Sequence, residues 1–182
     1  LHRIKMSYPF EEAIDKFKNK IHIHKIASID LKNYLCCSSH KLFLKNPQKI
    51  QITENLPVLA GGYFIGQTRK IYLNLIEVIL FSDADHILPI KSDIFYCNAR
   101  GMGKPLLISC RLNKNIEDLD SKIGDSIYTS GLGGIFVKDI KIGFISGLSS
   151  DFTGGLEVSI TLLGNPLEEN FYGILGNLSD EV

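Results

Sequence analysis

Gly124-Asp125-Ser126-Ile127-Tyr128-Thr129-Ser130-Gly131-Leu132-Gly133-Gly134-Ile135-Phe136-Val137-Lys138-Asp139-Ile140-Lys141-Ile142-Gly143 is the stretch on which the reading of this chain turns. Ser126–Thr129 reads as a strand, the glycines break it, and Ile135-Phe136-Val137 resumes as extended chain. A glycine-rich break after a strand raises phosphate binding. A dinucleotide fingerprint, however, needs Gly-x-Gly-x-x-Gly opening a helix, and a Walker loop needs Gly-Lys-Ser/Thr. Neither is present. Gly131, Gly133 and Gly134 instead suit a sharp reversal at positive φ, with Phe136 anchoring in a barrel.

Outward from this stretch, short apolar runs are broken every eight to twelve residues by turn chemistry. Candidate strands after an initial one ending at Ile29 are Tyr34–Cys37, Lys41–Leu44, Ile50–Thr53, Pro57–Ala60, Phe64–Arg69, Ile76–Phe81, Leu88–Lys91, Ile94–Cys97, Pro105–Leu112, Ser126–Thr129, Ile140–Leu148, Leu156–Leu163 and Phe171–Leu175. Asn98 to Gly103 reads as a breaker between them. That many strands exceed one small barrel, so two barrels or a split sheet follow, with a crossover near residues 92–104. Composition agrees: the 182 residues include 25 Ile but five Ala and no Trp. β-Branched Ile favours sheet and Ala favours helix, so a helical bundle is excluded. One helix is expected, Pro9–Lys20, with Ser7 as cap and Phe10, Ala13, Ile14 and Phe17 on one face.

Lys plus Arg equals Asp plus Glu at 20 each, so the net charge is zero and gives no prior for nucleic acid. Tyr34, His40, Lys41, Phe43 and Lys45 fit a basic–aromatic pattern loosely, as strand alternation does by chance. The charge is uneven: residues 1–50 hold ten basic and four acidic side chains, and residues 151–182 hold six acids and no base. The ends could attract each other, within or between molecules, but two solvated faces are the favoured reading. Ile71–Phe81 is too short and polar to span a membrane.

Catalytic and metal readings fare poorly. An all-β, two-barrel chain with Gly124-Asp125-Ser126 and the order His40, Asp83 or Asp85, Ser126 raises trypsin-like serine proteases. In that family the serine sits in a Gly-Asp-Ser-Gly-Gly loop, and here Ile127 and Tyr128 stand where its last two glycines would be, so the loop chemistry is missing. His22 and His24 share a strand face, and Cys36, Cys37 and His40 are near in sequence; a zinc site needs four such ligands to converge tetrahedrally, and the favoured expectation has the imidazoles on the solvent face and the cysteines partly in the core. Cys36, Cys37, Cys97 and Cys110 form no Cys-x-x-Cys pair. A Cys97–Cys110 cross-strand disulfide is sterically feasible, yet buried free thiols are the favoured expectation. No catalytic, cofactor-binding or metal-binding residue is assigned, and no cofactor is expected.

Residues 124–143 closely resemble the signature of the MreC family of bacterial rod shape-determining proteins, roughly Gly-Asp-x-Val-x-Thr-Ser-Gly-Leu-Gly-Gly-x-Phe-Pro-x-Gly-Ile-Pro-Ile-Gly. Gly124, Asp125, Thr129, Ser130, Gly131, Gly133, Gly134, Phe136 and Gly143 carry the match as a structural signature. Val137 and Lys141 replace prolines, and Asp139 replaces a glycine. Leu56-Pro57-Val58-Leu59 with Gly61–Gln67, Leu80-Phe81-Ser82-Asp83, Leu88-Pro89-Ile90 and Gly164–Leu175 are similar to other family segments.

The resemblance implies an all-β fold of two small β-barrels packed together, with the N-terminal helix over 1–20 as the end of a coiled coil. The first barrel is expected over 21–91 plus 164–182, and the second, with the glycine-rich signature, over 92–163. It implies a non-enzymatic scaffold of cell elongation on the periplasmic or extracellular side of the bacterial inner membrane. The membrane anchor would lie upstream of Leu1. Implied partners are a class B penicillin-binding protein (a transpeptidase), a second copy of the chain, MreB, MreD and rod-complex membrane proteins. Partner contacts by sheet-edge addition or aromatic anchors are expected. Candidate anchors are Tyr63, Phe64, Tyr72, Phe95, Tyr96, Phe144, Phe152, Phe171 and Tyr172, about half of which alternation sends to the core. The alternatives are a two-barrel protease and a purely self-assembling module.

Overall fold

A computed structural model describes residues 21–113, 119–150 and 152–176. The expected helix over Pro9–Lys20 lies outside them. Twelve strands close into two six-stranded antiparallel barrels. The first contains β1 (Ile21–Ile29), β2 (Lys41–Lys45), β3 (Pro57–Ala60), β4 (Tyr63–Ile71), β5 (Leu75–Leu80) and β12 (Phe171–Leu175), in the order β1-β12-β3-β4-β5-β2. The second contains β6 (Ile87–Lys91), β7 (Tyr96–Gly101), β8 (Leu107–Leu112), β9 (Ser126–Thr129), β10 (Lys141–Ser150) and β11 (Leu156–Leu162), in the order β10-β11-β8-β7-β6-β9. The whole second barrel is thus inserted between β5 and β12 of the first.

Strand alternation builds each interior. On β5, Ile76, Val78 and Leu80 point inward, meeting Leu42 and Leu44 of β2 and Ile174 of β12. On β11, Val158 and Ile160 do the same against Ile108 and Cys110 of β8. The two cores are not separate bodies. Leu59, Phe64, Phe81 and Leu175 of the first barrel pack in the cluster that fills the second.

Several expectations are corrected. β6 pairs with β7 and β9, so Ile87–Lys91 belongs to the second barrel, and the chain crosses between barrels after Leu80 instead of near residues 92–104. Tyr34–Cys37 is no strand: Asp30 caps a short helix α1 (Leu31–Cys36), its carboxylate accepting from the Asn33 N–H at 3.2 Å. Ile50–Thr53 is loop, although Ile52 still reaches the core. Asn98–Gly101 is no breaker but the body of β7, held by β6 on one side and β8 on the other.

The cysteines are paired, contrary to the preference for free thiols. Arg100 lies opposite Ser109, which sets Cys110 diagonally across from Cys97, with Cα atoms 6.1 Å apart and a disulfide between them. Cys36 and Cys37, brought together at the end of α1, are joined to each other. His24 is also inverted. It faces Tyr172 inside the first barrel, is buried, and donates from Nδ1 to the Lys45 carbonyl at 2.9 Å. Finally, both barrels are closed, so the described strands leave no free edge for strand addition.

Candidate functional site: the glycine-rich loop and the exposed aromatics

The loop between β9 and β10 is pinned by one side chain. Thr129 is fully buried. Its hydroxyl donates to the Val137 carbonyl at 2.6 Å and accepts from the Ile140 N–H at 3.0 Å. Its backbone does the same work in parallel, accepting from the Asp139 N–H and donating to the Ile140 carbonyl. Ser130 Oγ accepts from the Leu132 N–H at 3.2 Å. Between these ties the chain reverses at Gly131, Gly133 and Gly134, all at positive φ. At the base of β9, Gly124 and Asp125 bond to the backbone of Ile145. Gly143 serves a different need: a Cβ there would lie 2.3 Å from the Thr161 carbonyl oxygen, so β10 and β11 meet only without a side chain.

The reversal delivers Phe136 to the junction of the barrels. Its ring stands edge-on to Phe64 at 5.2 Å and to Phe81 at 5.4 Å between centroids. Both partners belong to the first barrel side, so Phe136 anchors one barrel to the other and not its own barrel alone. His86 lies on the same side, tilted against Phe81, with Nε2 donating to Gln67 Oε1 at 2.8 Å. Its Nδ1 is buried and has no hydrogen-bond partner among the described residues. Burial, and then the positive field of Arg69, outweigh Asp83 and push this imidazole down to about 4.

The protease geometry does not assemble. His40 is buried, its Nε2 donating to the Cys37 carbonyl at 2.7 Å and its Nδ1 accepting from the Ser82 hydroxyl at 2.7 Å. Both ring nitrogens are thus engaged within the first barrel, while Ser126 stands on β9 of the second, opposite Phe144. Asp83 accepts from the backbone N–H of His40 and from Lys41, while the ring nitrogens of His40 bond to Ser82 and Cys37. Among the described residues no group of three or more His, Cys, Asp or Glu side chains could hold a metal ion.

The nine aromatic anchors separate by exposure. Phe64, Phe95 and Tyr172 are buried, and Tyr172 is fixed there by its hydroxyl donating to the Pro166 carbonyl. They are unavailable to a partner. Tyr63, Phe144 and Phe171 are half-buried. Tyr72, Tyr96 and Phe152 are exposed, Phe152 completely so at the tip of the β10–β11 hairpin. Tyr96 heads a row across four strands, Tyr96–Lys91–Tyr128–Lys141, on the outer face of the second barrel. Sequence reading missed Lys91, which pairs with Asp139 and so ties this row to the glycine-rich loop.

Residues 37–165 match the family model for the rod shape-determining protein MreC, barrel core. The chain belongs to the MreC family. No curated protein sequence matches it significantly. Solved MreC structures share its fold. One covers 92% of this chain and 93% of its own at 16% identity, with a TM-score of 0.73. MreC from Pseudomonas aeruginosa covers 86% and 99% at 18% identity, with a TM-score of 0.71. A third is in a complex between Penicillin-Binding Protein (PBP2) and MreC from Helicobacter pylori, covering 85% and 98% at 18% identity with a TM-score of 0.51. Membership of the MreC family gives the glycine-rich loop a physical reading. Where the family signature has glycine, this chain has Asp139, and Asp139 sits at φ 67°. The left-handed turn is kept with a residue that tolerates it better than most.

Proposed function

We propose that this chain is a non-enzymatic scaffold of the bacterial cell-elongation machinery, acting on the periplasmic or extracellular side of the inner membrane. It binds a class B penicillin-binding protein, biases that enzyme's conformation, and associates with copies of itself and with MreB, MreD and rod-complex membrane proteins. The observation that carries the reading is membership of the MreC family over the barrel core. The Helicobacter pylori complex supports the choice of partner, since a relative of the same fold is found with PBP2. The exposed aromatics Tyr72, Tyr96 and Phe152 supply anchors of the kind that concentrate interface energy. A scaffold role also suits His40 and Ser126 standing apart, each engaged elsewhere.

With closed barrels, self-association rests on the apolar residues Phe10, Ala13, Ile14 and Phe17 of the sequence-expected helix and not on an edge of the described sheets. The rival reading is a module that only self-assembles. A pull-down of the purified transpeptidase by the tagged chain separates them. Retention of the transpeptidase supports the scaffold, and its absence at tens of micromolar with both proteins folded leaves self-assembly alone.

A further inference from the structure

The outer face of the first barrel holds a groove whose chemistry the scaffold reading does not use. On β5, inward Ile76, Val78 and Leu80 leave Glu77 and Ile79 on the outside. Lys41 of β2 lies opposite Ile79, and Phe43 opposite Glu77. On the other flank the ladder between β4 and β5 is irregular from Thr68 to Ile71, where Arg69 and Lys70 stand. The result is a cavity of about 340 Å³ lined by Lys41, Arg69, Lys70, Glu77, Ile79 and Asp85. Glu77 is only 8% exposed, and its Oε2 has no hydrogen-bond partner among the described residues.

The charges around that oxygen restrict what can fill the groove. Lys41 is already committed to Asp83 at 3.0 Å. Arg69 and Lys70 form no ion pair with a described residue. A plain anion would satisfy those two cations but would face the Glu77 and Asp85 carboxylates. A plain cation would satisfy Glu77 but would face Arg69 and Lys70. A ligand carrying both an ammonium and a carboxylate on a short aliphatic stem offers a partner to the acids, Glu77 and Asp85, and to the cations, Arg69 and Lys70, and Ile79 gives the stem an apolar floor. The volume is at the small end of ligand cavities, ~300–1,000 Å³, which suits one or two small amino-acid residues.

We infer that this groove binds an amino-acid zwitterion, free or as the ends of a short peptide. The ammonium donates to Glu77 and the carboxylate is held by Arg69 and Lys70. Buried and charge-assisted, the Glu77 contact gives the site its selectivity, while the two cations at the rim supply attraction.

Amide chemical shifts of the isotope-labelled 182-residue chain test the inference. Three probes are titrated: alanine, dialanine with free ends, and N-acetyl-dialanine amide, which has the same stem and no charges. Saturable shifts at residues 41, 67–71, 75–79 and 85 are expected with alanine or dialanine. Alanine alone would identify a free amino acid as the ligand, and dialanine alone a peptide. The blocked peptide should bind at least about tenfold more weakly, as the loss of a charged contact predicts. Glu77→Gln, which keeps shape and removes charge, and the double variant Arg69→Ala/Lys70→Ala should each weaken binding by about the same factor. Unchanged spectra elsewhere report that both variants are folded. Equal binding of blocked and free peptide, shifts outside the groove only, or no saturable shift at about 20 mM would overturn the inference, since a site with a Kd beyond that is no site.

Discussion

Replacing Phe136 with alanine should uncouple the two barrels and remove a large part of the stability of the chain. The ring is 6% exposed and sits edge-on between Phe64 and Phe81. Truncating a buried phenylalanine costs ~3–5 kcal/mol, the loss of its edge-on ring contacts included. The rigid turn fixed by Thr129 limits how far the loop can collapse into the space, so about 4 kcal/mol is expected. Total stability is typically ~5–15 kcal/mol, and a domain of this size loses ~2–4 °C per kcal/mol. A fall in Tm of roughly 8–16 °C follows. The chain has no Trp, so urea unfolding is followed by far-ultraviolet circular dichroism. Phe152→Ala is the control, since that ring is fully exposed and should change stability by less than about 0.5 kcal/mol. A Phe136→Ala loss below about 1 kcal/mol, or one equal to that of Phe152→Ala, would refute the assignment of Phe136 as the link between barrels.

Three further outcomes are expected. Gly134 sits at φ +72° with nothing within 4 Å of a built Cβ, so Gly134→Val should cost only the backbone strain, ~1–3 kcal/mol, whereas Gly143→Ala must also push apart β10 and β11 and should cost more; equal melting curves for parent and both variants would contradict this. His86 is held at about 4 in the folded chain against 6.5 when unfolded, so the unfolded chain takes up the proton first as pH falls. Its contribution is fully present above about pH 6.5 and is lost as pH falls toward 4, by about 3 kcal/mol in all, with His24, also lowered by burial, acting in the same direction; a His86→Gln variant with an unchanged pH slope would argue against it. A panel of ester and peptide substrates should show no turnover, and real turnover abolished by Ser126→Ala would reinstate the protease.

How much of this was legible beforehand follows from what each signal encodes. β9 and β12 match the expected strands Ser126–Thr129 and Phe171–Leu175 residue for residue, β9 because the glycine-rich break follows it directly. The apolar content of Tyr34–Cys37 suits a strand, and the local signal for α1 is Asp30, whose carboxylate caps it. Placing β6 in the wrong barrel has a different origin. A strand's neighbours are set by non-local pairing, and nothing within Ile87–Lys91 says that β7 and β9 outcompete β5. Period-2 alternation likewise places Ile23 and His24 on opposite faces without saying which is inside, so the barrel took His24 and left Ile23 exposed. The same limit governed the aromatics, where parity could not distinguish buried Phe95 from exposed Tyr96. The glycine-rich loop was legible as a reversal with Phe136 as anchor. Its destination between the barrels was not, because Phe64 and Phe81 lie 72 and 55 residues upstream.

The central claim is that the barrels dock on a class B penicillin-binding protein through a few exposed aromatics. A binding isotherm between the purified chain and the periplasmic part of that transpeptidase tests it most directly, run for the parent and for Tyr72→Ala, Tyr96→Ala and Phe152→Ala. Saturable binding is predicted at tens of micromolar or tighter. At least one of the three substitutions should weaken it by about tenfold or more while leaving the melting curve intact, as removal of an interface anchor does. No saturation at about 100 µM, weaker than any affinity of that class, with both proteins folded would contradict the account.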